Sequence, residues 1–229
     1  MKTVEVPMTE FVKIPLFPLG VVLLPGMHMP LHIFEERYKQ MISECLAQER
    51  PFGIVLFDGG SIRSVGCMAR ITKVLKRYDD GRMDIMTRGG KRFVIREMLQ
   101  DRSYMEARVF FFDDALEDAP VRELEQAVNA ALKLIESSPD IDRFPSALGE
   151  TVDPKSLAFA IAAMEGFTPA ERQGILEMTS PLERLEKCVQ ALSRIVARNR
   201  LTLEIRQLIS GNGHPTKSIL RELEDQSKG

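Results

Sequence analysis

The stretch LPGMHMPLHIFEERY, residues 24–38, decides how the first half of the chain is read. It places His28 and His32 four residues apart, followed by Glu35 and Glu36, which are the residue types of a metal site. On a helix, such a histidine pair projects from one face toward a shared ion. Here Pro30 lies between them. It removes a donor and biases Met29 away from helical angles, so residues 27–33 are expected to be extended. Four residues of strand span about 13 Å, and two rings that far apart cannot both sit ~2 Å from one zinc. The stretch therefore reads as a turn at Pro25–Gly26, a strand, and a helix entered at Phe34, with Leu31, Ile33, Phe34 and Tyr38 buried. No metal and no cofactor is expected. Met27 and Met29 read as core filling; exposed, they would form a soft, adaptable contact surface.

Outward from that stretch, the first half is strand-like. VKIPLFPL (12–19) and GIVLF (53–57) are short apolar runs bounded by Pro or Gly, while CMARITKVLKRY (67–78) and MDIMTRG (83–89) are rich in β-branched residues. GGKRFVIREML and YMEARVFFF complete about six strands, and DGG (58–60) and DDG (79–81) are turn chemistry. One helix is expected from about Glu35 to Gln48, because Phe34, Tyr38, Met41, Ile42, Cys45 and Leu46 share one face of a 3.6-residue period.

From about residue 120 the chain turns helical. DPKS at 153, TPAE at 168 and SPLE at 180 each place an N-cap residue before a proline at the first helical position. The last two add Glu at N3, the capping-box pattern. A helix is expected over about 120–136, and a long one from Ser180 to Ile209, roughly 43 Å. Its Leu182, Leu185, Val189, Leu192 and Val196 repeat at 3-4-3-4 spacing, so this stripe packs on other helices or on a partner. If it is not fully covered within the chain, a homodimer through the long helix is expected. The change from strands to helices falls near residues 113–120, and 211–229 reads as a tail that is either a short helix or disordered.

Composition sets outer limits. The formal net charge of −2 argues against a chain built mainly to coat nucleic acid. The three cysteines show no metal or CxxC spacing, which points to a reduced, cytoplasmic setting. No apolar run has the length of a signal peptide core or a membrane span, so no membrane association is expected.

IPLFPLGVVLLPGMHMPLHIFEERYKQMI closely resembles the start of the Lon N-terminal, or substrate-binding, domain family. The resemblance continues through PFGIVLF, VGCMARITKVLKRYDDGRMDIMTRGGKRFVI and YMEARVFFFDD, and more weakly through the helical part to about residue 205. It implies an α+β fold: an N-terminal PUA-like β pseudo-barrel with one inserted helix over 1–116, then a C-terminal helical bundle over 117–210. No G-x-x-x-x-G-K-[ST] phosphate loop and no G-x-S-x-G elbow occurs in these residues. The resemblance is thus to a stand-alone, non-catalytic form of the domain.

The expected function is recognition of exposed polypeptide segments, or docking of a protein partner, in proteolysis or quality control. Two routes are open: strand addition at an exposed sheet edge, or an apolar groove between barrel and bundle. For either, the candidate surface is Met27, His28, Met29, Glu36, Arg37 and Gln40. The alternative is RNA binding, since PUA-like barrels often bind RNA, through Arg88, Lys91 and Arg92. Aromatic platforms are scarce there and Asp79, Asp80 and Asp84 interrupt the cations, so solvated hairpins are favoured. No nucleophile–base pair is visible, and the paired carboxylates lie at turns or helix starts, where they satisfy backbone N–H groups.

Overall fold

A computed structural model describes residues 11–99, 101–115, 121–136 and 153–210. The tail expected over 211–229 lies outside them. The fold is mixed α+β, with six strands and five helices among the described residues. In chain order they are β1 (Val12–Leu19), β2 (His28–Ile33), α1 (Glu36–Ala47), β3 (Phe52–Asp58), β4 (Ser61–Arg77), β5 (Met83–Leu99), β6 (Glu106–Phe112), α2 (Val121–Glu136), α3 (Pro154–Ala162), α4 (Pro169–Glu177) and α5 (Pro181–Ser210). The strand order is β2-β5-β4-β3-β1-β6, and β5 also pairs with β6, so the sheet closes on itself. Among the described strands, β2 pairs with β5 alone.

The extended reading of residues 27–33 holds: β2 runs antiparallel to β5, with His28 opposite Arg88 and Ile33 opposite Met83. β5 itself differs from expectation. MDIMTRG and GGKRFVIREML are one continuous strand, not two joined at Gly89–Gly90. Gly89 serves close backbone approach rather than a turn. Gly26 N–H donates to its carbonyl (3.0 Å), its own N–H donates to Met27 O (2.8 Å), and a Cβ there would lie 2.0 Å from the Leu24 carbonyl oxygen. At the β3–β4 hairpin the glycines do turn the chain. Gly59 and Gly60 both have positive φ, as a two-residue hairpin loop demands.

Core packing follows the period-2 and period-3.6 faces. Tyr38, Met41, Ile42 and Cys45 of α1 are buried against Phe17, Phe52 and Ile85 of the sheet in one cluster that continues into Leu157, Ile161, Leu185 and Leu192 of the helices. A second, smaller cluster surrounds Phe93, whose ring leaves no space for a Cβ at Gly53 or Gly66. Phe34 departs from its expected burial and is 60% exposed. Strand alternation persists one residue past Ile33, which points inward, and α1 begins only at Glu36.

Two of the helix starts form as the sequence indicates, and the third forms half of its expected box. The Asp153 side chain accepts from Lys155 N–H and Ser156 N–H, Thr168 and Glu171 form a reciprocal capping box, and Ser180 Oγ accepts from Glu183 N–H. α5 runs the full expected length. Its Leu185 and Leu192 are buried, and Leu182, Val189 and Val196 are half-buried, with α2 and α3 packed along the helix. Neighbouring helices of the same chain thus cover the stripe in part, which leaves the expected homodimer unsupported.

Candidate functional site

β1 exchanges one neighbour for another partway along. Val12–Pro15 pair with β6, whereas Leu16–Leu19 pair only with β3. β2 has no second neighbour among the described strands. Between these two edges lies a groove of about 560 Å³, lined by Phe17–Leu19, Pro30–Phe34, the start of α1, and Phe57 and Ile62 of the β3–β4 hairpin. Phe17 and Tyr38, in edge-to-face contact at 4.2 Å, form buried walls. Phe34 and Phe57 stand at the rim, 60% and 47% exposed. Large aromatics left in water beside a concavity mark a binding surface more than scattered exposed residues do.

Both edges are poor templates for strand addition. Met27 O accepts from Gly89 N–H, so the polar groups of residues 27, 29, 31 and 33 face β5 and those of 28, 30 and 32 face outward. Leu16 N–H donates to Met105 O on the other side of the groove, so residue 18 also faces outward. Prolines occupy both outward positions, Pro30 and Pro18, and each removes a donor an added strand would need. The groove instead offers apolar side chains.

Polar groups border it at two points. Arg37 lies over the Tyr38 ring at 4.6 Å and is held by Glu35 at 2.7 Å; burial pushes the Tyr38 hydroxyl pKa up. His32 Nδ1 is 2.5 Å from Asp84 Oδ1, Tyr78 donates to Asp84 Oδ2 (2.8 Å), and the His32 ring stacks on Phe34 at 5.9 Å. The hydrogen bond with His32, and then that from Tyr78, holds the Asp84 carboxyl below the usual carboxylate range.

The six residues singled out from the sequence fall on different surfaces. Arg37 lines both the groove and an adjoining polar depression. Glu36 and Gln40 lie around that depression with Lys39, Ser43 and Ser103. There Glu36 is paired with Lys39, and Gln40 bonds to Glu44 and accepts from Ser103. His28 is exposed at the start of β2, Met27 is half-buried, and Met29 is core. Pleating explains the split, since Met29 shares its inward face with Leu31 and Ile33. Phe57, Ile62 and Leu19 went unrecognised because they come from segments far apart in sequence.

The proposed RNA face also divides. Arg88 and Lys91 are exposed, but Arg92 is 4% exposed. Its guanidinium pairs with Asp114 (2.6 Å) and donates to the carbonyls of Leu176 and Met178 at the end of α4. Arg92 joins sheet to helices and is closed to RNA. The crevice between them, about 410 Å³, is lined by Lys91, Asp113, Asp114, Asp153 and Lys155 as well as by aromatics, so the apolar groove expected at that junction lies instead at the open edge of the sheet.

A family model described as the ATP-dependent protease La (LON) substrate-binding domain matches residues 13–194. A Lon protease of Roseiflexus castenholzii is 29% identical over 192 residues, covering 79% of this chain and 24% of that protein. One from Anaeromyxobacter dehalogenans is 27% identical, over 89% of this chain and 26% of that protein. The chain thus spans about a quarter of the length of the curated relatives it matches. Two solved structures share the fold. A Lon N-terminal domain protein from Xanthomonas campestris has a TM-score of 0.60 at 24% identity, covering 78% of this chain and 98% of that one. The N-terminal domain of a Mycobacterium avium complex Lon protease has 0.63 at 20% identity, covering 80% and 98%. By the extent of the family match, this chain belongs to the Lon substrate-binding domain family.

Proposed function

We propose that this chain is a non-catalytic recognition module that takes exposed apolar side chains of unfolded polypeptides into the groove between β1 and β2, in the service of proteolysis or quality control. The observation that carries the reading is the pair of exposed aromatics, Phe34 and Phe57, standing at the rim of an apolar groove whose edges are blocked to strand addition by Pro18 and Pro30. Family membership supports a polypeptide ligand. On this reading the closed sheet is a PUA-like pseudo-barrel over 1–116, carrying the site. The helices of 117–210 form a bundle that buttresses it. The setting is cytoplasmic; no helix among the described residues is long and apolar enough to cross a membrane. Arg37 contacts the ligand, and His28 and Met27 flank its path.

The test is fluorescence anisotropy with a reduced, unfolded, apolar-rich polypeptide. A side chain of this kind transferred from water is worth about 1.5–3 kcal/mol. Phe34→Ser with Phe57→Ser should therefore weaken binding at least about tenfold, with the melting temperature unchanged because both residues are exposed. Charge reversal at Arg37 should weaken it as well, and reversal at Glu36, outside the groove, should not. A double variant that binds as tightly as the parent would refute the groove as the site.

A further inference from the structure

The outward face of β2, β5 and β4 carries cross-strand rows of cations. His28 lies opposite Arg88, which lies opposite Arg70. The next row is Pro30, Met86 and Lys73, and the third is His32, Asp84 and Lys76. Residues directly opposite one another share a face, so four cations and two histidines crowd onto one side of three strands. Two irregularities in β4, between Ile71 and Lys73 and between Val74 and Lys76, produce this arrangement. Regular alternation from Arg70 would turn Thr72 and Val74 outward. The bulges turn Lys73 outward instead and point Val74 toward the core, where it packs against the main cluster.

The charge on this face is not neutralised from within. Arg70, Lys73 and Arg88 are exposed and have no ion-pair partner among the described residues. The one acid in the rows, Asp84, is already engaged by His32 and Tyr78. Arg70 directly opposite Arg88 is a like-charge pair, which costs stability. β2 belongs to both surfaces, since Pro30 and His32 also line the apolar groove. The Arg88 row meets β2 at His28, six residues or about 20 Å along the strand from Phe34. Strands lie about 4.8 Å apart, so an extended chain rising about 3.3 Å per residue needs about five to seven residues to run from the Phe34 rim to Lys73, Arg88 or Arg70.

We propose that this face selects the ligand of the groove: polypeptide segments in which an apolar residue is followed or preceded, about five to seven positions away, by aspartate or glutamate. The inference rests on the groove reading given under Proposed function. The apolar anchor sits at Phe34 and Phe57, and the acidic flank lies across β2 onto Arg88, Lys73 and Arg70.

The experiment uses three fluorescent peptides with one apolar core and acidic, neutral or basic flanks, at low and high salt, beside a single-stranded RNA. A few exposed charge pairs acting together amount to about tenfold. The acidic peptide should bind about tenfold tighter than the neutral one at low salt and the basic one weakest, the differences collapsing at ionic strengths where the Debye length is only ~3 Å. Arg88→Glu, and separately Lys73→Glu, should bring the acidic peptide down to the affinity of the neutral one. Arg88→Glu places a carboxylate opposite Arg70, so the fold is not put at risk. Phe34→Ser should weaken all three peptides alike. Equal affinities for acidic and neutral peptides, or a preference that survives both charge reversals, would overturn the proposal while leaving the groove intact. A neutral peptide indifferent to Phe34→Ser would instead overturn the groove. RNA binding tighter than the acidic peptide and abolished by Arg88→Glu would make the face a nucleic-acid site and defeat the proposal.

Discussion

Two guanidinium groups, those of Arg92 from β5 and Arg184 from α5, close on the single carboxylate of Asp114 at 2.6 and 2.7 Å, and all three side chains are at most 4% exposed. Phe159 lies beneath both cations, 5.5 Å from Arg92 and 4.2 Å from Arg184. Burial by itself would raise the Asp114 pKa, yet bonds and charge from Arg184 and Arg92 hold it below the usual carboxylate range. Removing one partner of a buried ionic group leaves an uncompensated charge, at a cost of about 3–5 kcal/mol. Asp114→Asn should lower the free energy of unfolding by about that amount, read from the urea midpoint; a change under ~1 kcal/mol would contradict the arrangement. The sign with pH follows from the depressed value. The contribution is full above the unfolded-state pKa of about 3.9 and is lost as pH falls through the lower folded value. Acid unfolding of the parent should thus be steeper below pH ~4 than that of Asp114→Asn.

The helices were legible because their signals are local. Thr168 and Glu171 announce α4 by a pattern four residues long, and the structure forms both halves of it, with Thr168 Oγ1 accepting from Glu171 N–H at 3.2 Å and Thr168 N–H donating to Glu171 Oε2 at 2.8 Å. Thr168→Ala should cost about 1 kcal/mol in thermal or urea unfolding, and a neutral result would show the box to be redundant with Pro169. Strand features set by contacts elsewhere were harder to read. Gly89–Gly90 looks like a turn in sequence, and only the crossing of residues 24–27 over Gly89 shows why it is strand. The bulges of β4 depend on pairing with β5, and no residue in the sequence marks them. Phe34 continues the 3.6-residue period of the helix face, while the period-2 alternation through Ile33 turns it outward. The groove shares that difficulty. Leu19, Phe34 and Phe57 come together only when β1, β2 and the β3–β4 hairpin take their places in the closed sheet.

At the scale of the whole molecule, sheet and helices share one interior. The main apolar cluster runs from Phe17, Phe52 and Ile85 through Leu157 and Ile161 to Leu185, Leu192 and Ile195, without a polar layer between the two parts. The Arg92–Asp114–Arg184 group and the bond from Gln173 to Val65 O tie them at the same junction. Two parts that bury their apolar faces against each other cannot lose one without exposing the other, so they should unfold together. The chain supplies its own probes for this. It has no tryptophan and three tyrosines, Tyr38, Tyr78 and Tyr104, all in the strand-forming half. Tyrosine fluorescence therefore reports on the sheet, while circular dichroism at the helical minimum reports chiefly on α2 to α5. Urea curves from the two signals should coincide in midpoint and slope. A helical transition at lower urea than the tyrosine transition would mean that the helices are a separable unit, and that the groove can be presented by a sheet without its buttress. In Asp114→Asn, where the junction is weakened and the shared apolar cluster is kept, the two curves should shift together and still coincide.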